Sequence, residues 1–132
     1  MKKLIDCYGF DAERNKVLFP MYGVDPVAGK IYNKETGKEI VGGLKSGYRV
    51  ISLRYYGIDI KNMRSTLVYE SVNKDTNYGI PKHFPEKWFK ICRQGFDIDH
   101  INARKDDDRI ENLDLITRKD NRNKSNKVGE AA

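Results

Sequence analysis

The chain has 132 residues and a mass of 15.3 kDa, the size of one compact domain or of a small module with an appendage. Hydrophobic residues make up 39% and charged residues 33% of it, enough to bury ~two-thirds of the unfolded surface under a hydrophilic exterior. No apolar run approaches the ~20 residues of a membrane helix, which disfavours membrane insertion.

The opening stretch, MKKLIDCYGFDAERNK, breaks at Asp6 before a signal-peptide core could form. Two cysteines, Cys7 and Cys92, lie far apart without a CxxC pair, so neither a disulfide framework nor a zinc ribbon is indicated and a reducing cytoplasm is expected. Twenty-five Lys and Arg against nineteen Asp and Glu give a formal charge of +6, which favours a polyanionic partner such as nucleic acid. The excess is uneven: residues 1–90 carry 16 basic and 10 acidic side chains, and residues 91–132 carry 9 of each. We therefore expect a basic gripping module over 1–90 and a unit bearing the chemistry over 91–132.

Taken in chain order, Lys2–Lys16 reads as marginally structured, with a short helix as its possible form. Val17 to Ile60 reads as a run of hairpins punctuated by Asp25-Pro26, Ala28-Gly29, Glu35-Thr36-Gly37 and Gly42-Gly43. The strand Tyr48–Tyr55 is the clearest, with Arg49, Ile51, Leu53 and Tyr55 on one face and Tyr48, Val50, Ser52 and Arg54 on the other. Leu67, Val68, Ser71 and Val72 recur at helical spacing, with Asn62 or Ser65 as the N-cap. Tyr78–Trp88, with Gly79, Pro81 and Pro85, reads as the connecting loop between the two regions.

Beyond it, Phe96–His100 alternates as a strand, Ile101–Arg109 is a polar loop, Leu113–Thr117 is a second strand and Arg118–Asn126 a basic polar helix. Adjacent strand residues point to opposite faces, so Asp99 and His100 can serve one site only if the strand ends or bends there. The loop then returns Asn112 beside the histidine while the helix presents Asn121. One imidazole, one carboxylate and two carboxamides around a point suit metal-assisted phosphodiester cleavage.

Asp99-His100, then Asn112 twelve residues later within Glu111-Asn112-Leu113, then Asn121 a further nine on within Asp120-Asn121-Arg122-Asn123, resembles the HNH endonucleases. The likeness is to the phage and intron homing-endonuclease branch with asparagine in the third position, and NLDLIT reads like its usual NLxxVT. It covers about Phe96–Asn126, and a weaker likeness extends over the hairpins and helix of Tyr22–Asn73. The resemblance implies an α+β protein in which a β-hairpin-rich module with one helix precedes a ββα-metal unit. It further implies that His100 is the general base, that Asn112 holds the loop and orients the His100 ring, and that Asp99 and Asn121 bind one divalent cation. Hard oxygen donors favour Mg2+ or Mn2+ over zinc, and a carboxamide in place of a third-position histidine implies weak, millimolar-range metal dependence.

On this reading the chain is a DNA endonuclease acting on double-stranded DNA, as a nicking monomer or as a homodimer cutting both strands, in the host cytoplasm if phage-encoded. Arg118, Lys119, Arg122 and Lys124 on the metal-bearing helix, with Lys127, and Arg49 and Arg54 on the clearest strand, are the expected DNA contacts; Lys45, Lys61 and Arg64 are further candidates. Asp106, Asp107 and Asp108 read as a solvated charge run and stand outside the expected site. The alternatives are a catalytically silent DNA-binding module that keeps the fold, and an RNA-directed nuclease or interaction protein.

Overall fold

The computed structural model describes residues 3–75 and 96–117. Among them two three-stranded antiparallel sheets, one α-helix and a two-stranded ribbon make a mixed α+β architecture. The first sheet, in the order β1-β2-β3, is built from β1 (Ile5–Phe10), β2 (Lys16–Asp25) and β3 (Lys30–Asn33). The second, β4-β5-β6, contains β4 (Gly43–Lys45), β5 (Tyr48–Tyr55) and β6 (Ile58–Met63). The helix α1 (Arg64–Val72) follows β6 directly, and β7 (Phe96–His100) pairs with β8 (Leu113–Thr117).

The alternation expected of β5 is realised. Ile51 and Leu53 are fully buried opposite Asn62 and Ile60 of β6, whereas Ser52 and Arg54 are exposed opposite Lys61 and Asp59. One core joins the layers: Cys7, Phe19, Tyr22, Val24 and Ile31 from the first sheet, Ile51, Leu53 and Ile60 from the second, Leu67 and Val68 from α1, and Leu113 from the ribbon. Burial pushes the Cys7 thiol up to about 12, so it behaves as a small apolar side chain. A polar bolt also crosses between the sheets, the Tyr22 hydroxyl accepting the Arg54 backbone N–H at 2.8 Å.

Two local expectations are corrected. The segment within Lys2–Lys16 is a strand, not a marginal element or short helix, because tertiary partners sit on both of its sides. β2 pairs along one edge of β1, and side chains from β6 and α1 satisfy the other: Asn62 bonds Phe10 N–H and C=O at 3.0 Å each, and Ser71 Oγ accepts from Tyr8 N–H at 2.8 Å. An edge strand covered in this way has no unpaired row to expose. Gly9 permits the approach, since a Cβ there would stand 2.6 Å from a Leu67 methyl.

The α1 N-cap is Met63, without a side-chain capping bond, rather than Asn62 or Ser65. Asn62 cannot cap because its carboxamide is already committed to β1. The expected loop Tyr78–Trp88, Cys92 and the expected helix Arg118–Asn126 lie outside the described residues. Among the described residues no helix is long and apolar enough to cross a membrane.

Candidate active site

The ribbon places Asp99 and His100 at the end where the connecting loop begins. β7 runs through Asp99 and stops at His100, which pairs with Leu113, while Asp99 pairs with Asp114. The chain turns at once: Ala103 N–H donates to His100 C=O at 2.8 Å, with Ala103 in a left-handed conformation at φ 65°. β7 thus runs unbroken through Asp99 and His100 and turns only after the histidine, so their side chains leave opposite faces of the ribbon.

Asn112 closes the loop. It is buried at the end of a single 3-10 turn, Ile110–Asn112. Its Oδ1 accepts from Asn102 N–H at 3.0 Å, and its Nδ2 donates to Asn102 Oδ1 at 3.0 Å and to Asp107 C=O at 2.9 Å. Its own C=O accepts from Ile101 N–H at 2.9 Å. A carboxamide supplies donors and an acceptor from one side chain, which is what a loop with orphan groups of both kinds needs.

A hydrogen bond to the His100 ring comes from Asp108, which the sequence had placed in a solvated charge run. His100 Nε2 lies 2.7 Å from Asp108 Oδ1, and the second oxygen of Asp108 accepts from Arg64 Nε at 2.8 Å. Asp108 is 2% exposed and His100 7%, so this carboxylate is not part of a solvated charge run. Three acids in a row gave no signal separating Asp108 from its neighbours; only the fold turns it inward. Asp107 is tied locally instead: hydrogen bonds from the Arg109 guanidinium hold its carboxyl well below the usual carboxylate range, against a smaller opposing effect of burial.

Arg64, read as a candidate DNA contact, is committed here, for it also donates to Asp106 C=O at 2.8 Å. It starts α1, so the body of the protein grips the loop directly. Three further contacts seat the loop. Ile110 N–H donates to Pro26 C=O at 2.8 Å, Lys105 Nζ reaches Ser46 C=O at 3.2 Å, and the Tyr48 ring stacks obliquely on His100 at 5.9 Å between centroids. Gly29, at φ +69°, lies so close that a Cβ would stand 2.4 Å from the Asp108 carbonyl carbon.

The expected DNA contacts separate. Arg54 is exposed and pairs loosely with Asp59 at 3.3 Å, while Arg49, half-buried near the start of β5, reaches Gly42 C=O at 3.4 Å. Arg118, Lys119, Asn121, Arg122, Lys124 and Lys127 lie outside the described residues. Of the two expected metal ligands, Asp99 is thus described and Asn121 is not. The donor chemistry suits a hard divalent cation: Asp99 faces Asp114 directly across the ribbon, a like-charge pair that a cation would relieve. Among the described residues no three His, Cys, Asp or Glu side chains cluster as a complete metal site.

Residues 91–123 match the family described as HNH endonuclease. No curated protein matches the chain. The fold is similar to that of the HNH homing endonuclease I-HmuI, solved in a study of its DNA binding and cleavage, with a TM-score of 0.58 and 22% identity. That likeness covers 82% of this chain and 53% of the other, so this chain spans about half the length of the enzyme it resembles. At such identity the likeness establishes the shared fold, and over residues 91–123 the chain is similar to the HNH endonuclease family.

Proposed function

We propose that this protein is a divalent-metal-dependent HNH endonuclease of the homing type that hydrolyses phosphodiester bonds in double-stranded DNA. The observation that carries the reading is a histidine at the end of the ribbon, inside the segment that matches the family, with one ring nitrogen engaged by a buried carboxylate. An imidazole held in a fixed orientation by one nitrogen can use the other to take a proton from water.

In the proposed reaction His100 accepts the proton of the attacking water as its oxygen adds to phosphorus, and the bond to the leaving 3′ oxygen breaks. Asn112 keeps loop 101–107 closed around the turn that carries the histidine. When bound by Asp99 and Asn121, Mg2+ or Mn2+ would supply electrostatic stabilisation of the charge that grows on the phosphate and the leaving oxygen. Arg54, Arg49 and the basic residues of 118–124 would hold the DNA backbone, with affinity falling as salt rises. The division into a gripping module over 1–90 and a cleaving unit over 91–132 belongs to this proposal.

The test is incubation of supercoiled plasmid, and of a phage genomic DNA, with the protein in Mg2+, Mn2+ or EDTA beside His100→Ala. We expect metal-dependent conversion to open-circle or linear DNA that His100→Ala abolishes while its DNA binding persists. Open circle alone marks a nicking enzyme, and linear product from a dimer marks a double-strand cutter. Full cleavage by His100→Ala would remove the histidine from its assigned role. Salt-sensitive binding without cleavage of either substrate would favour a silent DNA-binding module.

A further inference from the structure

We propose that Asp108 is the positioning residue for His100 and that Arg64, supplied by the N-terminal body, holds Asp108 in that role. The neutral imidazole then carries its proton on Nε2 and accepts a proton through Nδ1. This inference rests on the nuclease reading for its meaning, but its structural content stands apart from it.

The geometry is a three-member line. Arg64 Nε donates to Asp108 Oδ2 at 2.8 Å, and Asp108 Oδ1 lies 2.7 Å from His100 Nε2. An ionised carboxylate only accepts hydrogen bonds, so the ring nitrogen facing it must be the donor. The neutral ring has one N–H, and its lone pair therefore sits on Nδ1. The side chains of Asp108, His100 and Arg64 are 1%, 7% and 12% exposed, so water competes weakly for any of these bonds. Arg64 adds a second anchor by donating to Asp106 C=O at 2.8 Å, which fixes the backbone that carries Asp108. Tyr48 of β5 also packs its ring against the imidazole, 5.9 Å between centroids.

The arrangement has a consequence for the division of labour in the chain. Arg64 and Tyr48 belong to the body, not to the segment that matches the HNH family. The body is therefore part of the positioning apparatus of the histidine as well as a surface for DNA.

A neutral amide at position 108 would invert the line. Asn offers one oxygen, and the Arg64 cation would claim it; the NH2 would then face His100 and require a lone pair on Nε2. The proton would move to Nδ1, the nitrogen needed as base.

The test is 15N NMR of histidine-labelled full-length protein in EDTA at alkaline pH, where imidazole is neutral. The two histidines, His83 and His100, are told apart with His83→Gln. We expect a protonated Nε2 and an unprotonated Nδ1 at His100 in the native protein, and the reverse or a mixture in Asp108→Asn. An Nδ1–H tautomer in the native protein would overturn the inference, whatever the variants do and even if they fail to fold.

In cleavage assays Asp108→Asn and Arg64→Met should lower kcat about 10- to 100-fold with KM nearly unchanged, and Arg64→Lys should recover part of the loss. If the native protein cuts DNA and Asp108→Asn cuts equally well with an unchanged tautomer, the inference is wrong and the nuclease reading survives. If the native protein cuts nothing, the nuclease reading fails while the tautomer still decides the positioning.

Discussion

The body formed by residues 3–75 and the ribbon with its loop, residues 96–117, are held by different physics. In the body, Phe19, Ile31, Ile51, Leu53, Leu67 and Val68 are fully buried, and two sheets and a helix close over them. In the ribbon, among the described side chains, Leu113 is buried and Ile98 and Ile110 pack partly against the core, and the loop is held by Asn112, Asp108 and Arg64. Apolar burial is non-directional and tolerates small shifts, whereas a carboxylate between an arginine and an imidazole fixes distances and angles. A reacting group must be held to a fraction of an ångström, so the directional network belongs where the chemistry is proposed.

The contrast can be broken from either side. The largest expected effect is in the body: Phe19→Ala should cost about 3–5 kcal/mol of global stability, because a fully buried ring leaves a cavity between two sheets and α1. Denaturant unfolding would measure it, and a loss below about 1 kcal/mol would mean that Phe19 is not central to the core.

Gly29→Ala should act on the loop more than on the body. A left-handed alanine costs about 1–2 kcal/mol, and its methyl would meet the backbone at Asp108. The readout is amide hydrogen exchange: Ile110, bonded to Pro26 C=O, should exchange much faster while Ile51 and Leu53 stay protected. Equal loss of protection at all three would show that loop and body unfold as one unit.

The smallest effect expected is an acid-limb difference at Asp107→Asn. Because the folded carboxyl lies below its ordinary value through its bonds to Arg109, its stabilisation is present in full above about pH 4 and fades as pH falls further. The melting temperatures of native and variant protein should differ at pH 7 and draw together only as pH falls from about 4 into strong acid. A gap that persists unchanged into strong acid would assign the difference to something other than this ionisation.

The parts legible in the sequence are those encoded by local pattern. The hairpins between Val17 and Ile60 follow from alternation and turn residues, and the strands Phe96–His100 and Leu113–Thr117 have the bounds the sequence suggests. Asp99, His100 and Asn112 stand out by spacing, and the HNH family match falls on the same stretch. β1 was illegible because its stability comes from β2 on one side and from Asn62 and Ser71 on the other, residues more than fifty positions away. Met63 as helix cap was hidden for the same reason, since Asn62 is the better capping residue until its side chain is claimed elsewhere.

By itself, then, the amino-acid order determined the β-rich character, the basic charge excess and the residues of the His–Asn motif, because alternation, composition and spacing are properties of neighbours along a chain. The tertiary structure alone decided that Asp108 is buried, that Arg64 serves the loop instead of facing solvent, and that Gly29 must be small. Each of these depends on desolvation and close approach between segments tens of residues apart, and neither quantity is defined until the chain has folded.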